Sequence, residues 1–523
     1  MKTLLVTILF VLSSVYSFSQ SSQQWITKFN GTGNSFDASN KSKVDRFGNI
    51  YVSGYSNGPN GNIDFCLLKY NSSGTLLWSR TYDGPNHLTD DSYAMTIDDA
   101  GNIFLGGRSD SNLASGMLTI KYSSSGELLW MVDFGGLLIT DSNGNLYICG
   151  ESVDSQNNYH QSLRKYSSSG TLVWENINST ERAYALDITL DQSGNIILTG
   201  ELARDENADI GTWKYNSTGN LLWERSYQFA PKAVYRGVFV KSDAIGNIYV
   251  AGESNSSGLS ENDFVTLKYN LSGEQQWAAI YHGAASWRES VRGLIIDAER
   301  NIYITGESGD DFTTMKYNNN GEQQWCAIYN GEANDRDEVY GIAVDAASNV
   351  YVTGWSSAPD NMDCVTIKYN TYGVQQWKQI YRNPLQGTNC TNSILVDSSN
   401  SVYVSGFSEG NGSAADILLI KYSQTTGLDP ISTQLPVKYS LAQNYPNPFN
   451  PNTTIEFTLP ENTFATLKIF DMIGREMYTL INENMVRGSY RYNFNGLYLA
   501  SGTYFYKLQT AGFTETKKMV LVK

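Results

Sequence analysis

The sequence predicts an all-β chain in two parts, a large repetitive ring followed by a small non-repetitive β domain. Three observations carry this. The motif Lys-Tyr-x3-Gly-x3-Trp recurs in full from Lys69, Lys121, Lys165, Lys214, Lys268, Lys316 and Lys368, with Lys421-Tyr422 as an eighth, partial copy. Successive copies lie 44 to 54 residues apart, the size of one four-stranded repeat. Aromatic residues make up 13% of the chain and charged residues only 17%, a composition that suits pleated, packed surfaces and argues against disorder.

Taken in order, the chain opens with Lys2, an apolar run from Leu4 to Val15 and the small-x-small site Ser17-Phe18-Ser19. This predicts a secretory signal peptide over residues 1–19, cut between Ser19 and Gln20. The run is too short to span a membrane, and no other apolar stretch approaches 18 residues. No Cys stands at the cut to take a lipid anchor.

Residues 20–422 hold the repeat, and each unit reads as four short strands. Strand one is an apolar segment such as 94–97 or 293–296. An Asp-containing turn follows, as in 45–48, and then strand two, Asn-x-Tyr-x-x-Gly, as at 49–54, 247–252, 301–306 and 349–354. Strand three ends in Lys-Tyr and strand four carries the Trp. The fixed Gly between them (Gly74, Gly126, Gly170, Gly219, Gly273, Gly321, Gly373) predicts a tight hairpin closed by a positive φ. The variable stretch, such as 83–91, connects strand four to the next strand one, where a propeller chain steps from the outer edge of one blade to the inner strand of the next. Strands three and four are apolar on both faces, as sheets packed between neighbours require.

Lys421-Tyr422 lacks its Trp, and Trp25 lacks its Lys-Tyr. A strand around Trp25 therefore completes the last unit and pairs two otherwise exposed edges. The expected fold is an eight-bladed β-propeller closed by this N-terminal strand, with an open solenoid as the alternative. Residues 423–437 read as a linker. Residues 438–523 follow, rich in Pro at first and then in short alternating runs (455–457, 465–470, 504–508, 519–522), which predict a small β-sandwich.

The net charge is −15 and no Lys/Arg cluster stands out, which excludes nucleic acid and anionic membrane as expected partners. The five cysteines (Cys66, Cys149, Cys326, Cys364, Cys390) form no Cys-x-x-Cys and read as small buried thiols, with room for one disulfide. Of the three His, His87 and His282 lie in variable loops. His160 stands five residues before Lys165, where Asp64, Asp209, Asp263, Asp311, Asp363 and Asp416 stand in other units, so it reads as a repeat-position substitution. Those Asp are expected to accept turn N–H groups. Asp335, Asp337 and Glu338 read as a solvated loop, and Glu151, Glu201, Glu253 and Glu307 as matching positions on one rim. The aromatics four residues after Trp (Phe29, Tyr82, Phe134, Tyr227, Tyr281, Tyr329, Tyr381) are expected to pack between blades. The Lys before each Tyr reads as structural, within reach of stacking on the Trp across the hairpin. No Asp-x-Asp-x-Asp-Gly loop, nucleophile elbow, His-Glu-x-x-His or phosphate loop is present, so no catalytic, cofactor or metal-binding residue is assigned.

Two resemblances add to this. The segment 444–451 (Asn-Tyr-Pro-Asn-Pro-Phe-Asn-Pro) is followed by 454–457, Leu459-Pro460, 467–475, 501–506 and Lys517-Lys518. Together they resemble the type A C-terminal sorting domain of bacterial type IX secretion substrates. Phe494 stands where that family commonly has Trp. The resemblance implies passage through the periplasm, recognition by the type IX machinery, and release or attachment at the outer surface. It implies Gly474, Arg475, Gly502, Tyr504, Lys517 and Lys518 as recognition elements. The units, as in 49–54 with 64–70, are similar to SBBP-type β-propeller repeats, a family with no single activity. The sequence leaves two functions standing. The favoured one is a non-catalytic surface or secreted protein that binds an extracellular glycan or protein. The other is a secreted polysaccharide hydrolase or lyase with carboxylates at the channel mouth. Constant residues at strand and turn positions, and no long insertion in any unit, lean against an enzyme.

Overall fold

A computed structural model describes residues 21–523 except 111–115, 154–158, 179–181, 205–206, 229–232, 257–261, 284–288, 360, 385–386, 410–413, 425–427, 431–435, 486 and 497–498. The expected signal peptide and its cut at Ser19/Gln20 lie outside the described residues. Among the described residues the chain is all β, without a helix, and it divides into a unit of residues 23–423 and a second unit that contains 424–523.

In the larger unit the strands form antiparallel sheets in simple sequence order. The first is Ala38–Val44, Ile50–Asn57, Ile63–Tyr70 and Leu76–Tyr82. The same four-strand order recurs over 90–132, 137–178, 182–227, 233–281, 290–329 and 337–381. The sets 182–227 and 233–281 are joined into one larger sheet by a single parallel pairing, Ala208 with Val234. The last sheet contains Asn389–Val396, Val402–Ser408 and Asp416–Gln424, and Ser21–Phe29 from the start of the chain pairs beside Asp416–Gln424 as its outer strand. The first strands of successive sets lie against one another in a closed cycle, with Ala38–Val44 touching both Asp90–Ile97 and Asn389–Val396. The second and third strands are buried on both faces, and the apolar clusters draw on two successive sheets, as where Tyr51 and Phe65 meet Met95 and Leu105. Sheet-to-sheet burial of this kind explains the absence of polar alternation in these strands.

Strand one carries a one-residue bulge in seven of the sets, at Asn40, Tyr93, Leu186, Val238, Arg292, Tyr340 and Asn392. A bulge leaves its residue out of the ladder and re-aims its side chain.

The second unit has two four-stranded sheets around one core. One combines Leu428–Pro430, Gly488–Asn495, Asn452–Leu459 and Ser440–Leu441; the other combines Glu476–Met485, Thr463–Phe470, Gly502–Thr510 and Thr514–Leu521. Ile455, Phe457, Leu467, Ile469, Tyr506 and Leu508 meet inside. The stretch expected as a linker thus contributes Leu428–Pro430 to this unit's first sheet.

Candidate functional site

The repeated motif turns out to be a joint between sheets. Gly219, at φ 85°, closes the hairpin, and a Cβ there would meet the Trp174 ring of the preceding set at 2.9 Å. Trp174 Nε1 donates to the Ser217 carbonyl in the same hairpin, 3.2 Å. The motif Lys reaches the corresponding turn of the next set: Lys121 donates to the Ser168 carbonyl at 2.9 Å and Lys268 to the Asn319 carbonyl at 3.0 Å. At the junction of the chain ends, Trp25 and Lys421 both donate to the Ser72 carbonyl.

Stacking on the Trp is not the rule for this Lys. Its ammonium lies over the strand-two aromatic, 5.0 Å from the Tyr51 centroid for Lys69 and 5.3 Å from Tyr303 for Lys316, and Lys121 also lies over a Trp ring. The reason is the Asp of the preceding turn, which draws the ammonium inward. Lys214 lies 2.9 Å from Asp191, and Lys121 lies 3.6 Å from Asp98. The same turn Asp does the N–H capping expected of the Asp64 set. Asp191 Oδ1 accepts from the Asn195 N–H at 2.9 Å, and Oδ2 accepts from the Asn195 amide at 2.8 Å. The Asp64 set starts strand three and serves side chains instead: Asp363 takes Arg382 and Asp263 takes His282. His160 pairs with Ser152 in the ladder as Asp263 pairs with Ser254, which marks it as an occupant of the same repeat position.

With the joints accounted for, the residues that break the repeat stand out, and they gather on strand one. Lys41 and Lys43 belong to the first set, Asp187 to the set 182–227 and Lys241 to the set 233–281. The first set is not a neighbour of the other two in the cycle, yet the charges act on one another. The closed cycle of first strands brings them within electrostatic reach of one another. Asp187 is fully used: its carboxylate accepts from Ile188 N–H at 2.9 Å, Val240 N–H at 2.9 Å and Lys241 Nζ at 3.2 Å. Among the described residues neither Lys41 nor Lys43 has an ion-pair partner, and both remain open to water. Surrounding protein pulls both amines below the usual lysine range. Lys241 pulls in the same direction and Asp187 opposes it. Three lysines and one carboxylate act on one another here, an excess of basic groups. Sequence reasoning missed it, although charged residues in a strand that other units fill with Ala94, Thr96 or Ile295 were a signal.

At the same end as the strand-one bulges, two of the four rim carboxylates, Glu253 and Glu307, are bonded. Glu253 receives Arg236 Nε at 3.0 Å and Nη2 at 2.8 Å, and its other oxygen accepts from Val291 N–H at 2.8 Å and the Ser290 hydroxyl at 3.0 Å. Glu307 receives Arg292 at 3.0 Å, and that guanidinium lies over the Tyr340 ring. Burial pushes the Glu307 carboxyl up, and Arg292 opposes it. Glu338 is held by Arg336 and by the Tyr340 hydroxyl. Asp337 and Glu338 are buried at the start of a strand, which corrects the solvated-loop expectation for them; Asp335 stays in the preceding loop. All five thiols are free, and four of them are buried. Ring pairs such as Phe65–Tyr82 and Phe264–Tyr281 place the aromatics that follow Trp against strand three of their own sheets.

In the second unit, Gly474 (φ 82°) and Arg475 occupy the turn after Thr463–Phe470, where Arg475 Nε meets Asp471 at 2.7 Å. Phe470 pairs with Phe505, so this turn lies at the end of the sheet where Gly502 and Tyr504 begin their strand. Tyr504 donates to the Ala500 carbonyl at 2.9 Å. Lys517 and Lys518 pair with Tyr506 and Phe505, one strand further along. Met472 and Ile473 crown the turn, 74% and 76% exposed. The segment 444–451 is held by Asn444, which is buried, donates its N–H to the Tyr506 hydroxyl at 2.7 Å and its amide to Thr453 at 2.8 Å.

Comparison with known proteins fits this division. The secretion system C-terminal sorting domain family matches residues 443–523, and the β-propeller repeat family SBBP matches residues 327–360. No curated protein is similar enough in sequence to match. Among solved structures, the chain is similar to PorZ, an essential bacterial surface component of the type IX secretion system of Porphyromonas gingivalis, at 12% identity over 92% of this chain and 74% of that one, with a TM-score of 0.32. A fungal alcohol oxidase of the AA5 family in complex with copper is 12% identical over 96% and 100%, TM-score 0.42. A PL25 ulvan lyase is 13% identical over 76% and 95%, TM-score 0.39. Likenesses this distant say nothing about chemistry. No helix among the described residues is long and apolar enough to cross a membrane. The chain thus carries a match to the SBBP β-propeller repeat at residues 327–360 and a type IX C-terminal sorting domain at residues 443–523, and it is exported to the cell surface or beyond.

Proposed function

We propose that the larger unit is a closed eight-bladed β-propeller that binds an extracellular partner without transforming it, and that its axial channel receives an anionic group of that partner. The carrying observation is the contrast of charges. Lys41 and Lys43 have no carboxylate partner among the described residues, whereas Glu253, Glu307 and Glu338 are each bonded to Arg or Tyr. A glycosidase needs a carboxylate free to donate a proton and a second free to attack or to activate water, and Glu253, Glu307 and Glu338 are not free in this sense. The count of eight rests on the sheet order, the cycle of first strands and the shared last sheet. In this reading residues 1–19 are a signal peptide, and residues 438–523 are a sandwich-like delivery module that the export machinery recognises through Gly474, Arg475, Gly502, Tyr504, Lys517 and Lys518.

The test is a panel of neutral, carboxylated and sulfated polysaccharides, scored for retention and for released reducing ends. Retention is expected on acidic members only, weakening with salt and falling roughly tenfold in Lys41→Ala/Lys43→Ala, one decade being about 1.4 kcal/mol. Released product would overturn the non-catalytic reading. Unchanged retention by the double variant would overturn the channel.

A further inference from the structure

Outside the channel, the first propeller repeat and the loop that follows it gather three carboxylates. Asp64 starts strand three, Asp83 follows strand four, and Asp90 starts strand one of the next set. One oxygen from each lies within 4.8 Å of the others. Asp64 and Asp90 are buried, at 7% and 1% exposure, and Asp83 closes the open side. Asp90 Oδ2 accepts from Gly84 N–H at 2.7 Å, but its Oδ1 is buried without a hydrogen-bond partner. The Asn62 amide sits between the other two, its Nδ2 donating to Asp64 at 2.7 Å and to Asp83 at 3.2 Å, while its own carbonyl oxygen is buried and unpartnered. Turning that amide over would present the orphaned oxygen to the same space.

Two other repeats show how this position can be neutralised. The residue after the strand-four aromatic is His282 in one set and Arg382 in another; they meet Asp263 at 2.8 Å and Asp363 at 2.7 Å. The same position in the first set holds Asp83, which adds negative charge where those two add a cation. His87 meets Asp83 at 2.6 Å, but from the solvent side, where it is well exposed. Buried carboxylates without a counter-charge are costly, and a bound metal ion is a usual remedy.

We propose that Asp64, Asp83 and Asp90, with the Asn62 carbonyl, form a binding site for a divalent cation, and that the ion is calcium. The donors are all oxygens, carboxylate and amide, which suit a hard cation with flexible coordination. They come from the start of strand three and the end of strand four of one repeat and from strand one of the next, so the ion ties two neighbouring sheets together. Outside the cell, affinities of about 10⁻⁴–10⁻³ M are enough for such a site to fill.

Calorimetry and thermal melting of the full-length protein in EDTA, in Ca²⁺ and in Mg²⁺ test this. One Ca²⁺ site is expected, with a melting temperature that climbs as Ca²⁺ rises above its Kd and a weaker response to Mg²⁺. Asp83→Arg, which copies the arrangement of Arg382, should fold, melt at or above the calcium-free parent and ignore Ca²⁺. Asp335→Asn, in an exposed loop, should respond as the parent does. A parent that neither binds Ca²⁺ nor shifts its melting would overturn the proposal, as would a full response from Asp83→Arg. If Asp83→Arg does not fold, Asp83→Asn is read by the same two outcomes.

Discussion

Lys214 shows how much a single repeated side chain carries. It continues strand three, faces Trp223 across the hairpin, lies 2.9 Å from Asp191 and donates to the Leu271 carbonyl of the next set at 3.4 Å. The two side chains of the pair are 2% and 1% exposed. Burial works against ionisation of Asp191, but the Asn195 amide, Lys214 and the Asn195 N–H outweigh it and hold the carboxyl below its usual range. Removing one partner leaves a buried charge unpaired, so Asp191→Asn should destabilise the propeller unit by about 3 kcal/mol at neutral pH. The sign with pH follows from the depressed folded-state value. The Asp191 contribution is complete above the unfolded carboxyl range of about 3.9 and is lost as pH falls through the lower folded value. Denaturant titrations of parent and variant should therefore lie furthest apart at neutral pH and converge under acid. Curves that stay equally separated from pH 7 to pH 2 would contradict this account of the pair.

Among elements, the hairpin of strands three and four and the closing strand Ser21–Phe29 do the joining. Trp25 stands to Gly74 as Trp174 stands to Gly219: a Cβ on Gly74 would meet the Trp25 ring at 2.7 Å, and Trp25 also packs against Tyr403 with centroids 6.1 Å apart. Deleting residues 20–30 should lower the thermal midpoint of the propeller unit, because it bares the edge of Asp416–Gln424 and empties the seat over Gly74; loss of the Trp alone costs about 3 kcal/mol. A truncated protein that melts with the parent would show that this strand does not close the ring. Much of this was legible in the sequence, since a fixed Gly-to-Trp spacing and a motif split between the two ends state both the hairpin and the missing strand. What the sequence withheld was the partner of each group. Spacing within one repeat could not show that Trp reaches the next repeat's turn, nor that the turn Asp, rather than the Trp, attracts Lys. Asp337 and Glu338 looked like loop acids because they adjoin Asp335, although strand Asp337–Val344 takes them inside. The channel was the least legible, since Lys41, Asp187 and Lys241 are far apart in sequence and meet only when the ring closes.

For the whole molecule, the argument concerns delivery. The sheets and core of residues 438–523 belong to a unit that contains none of the propeller repeats. Its matched family is a sorting domain, and its turn at Gly474 and Arg475 presents Met472 and Ile473 to solvent rather than burying them. Exposed apolar side chains beside an Arg are what a docking tip needs, and the fold of the propeller has no use for them. A chain ending at residue 437 keeps every propeller strand, including Asp416–Gln424 and its pairing with Ser21–Phe29. It should therefore fold, with the thermal midpoint of the propeller unit unchanged, and remain in the periplasm. Fractionation and protease accessibility on intact cells would measure this: the parent outside and accessible, the shortened chain inside and protected, with comparable amounts of folded protein. Normal display of the shortened chain would remove the delivery role from residues 438–523. Retention together with an unfolded propeller would instead mean that the tail is needed for folding, and the purified shortened chain's melting curve separates the two cases.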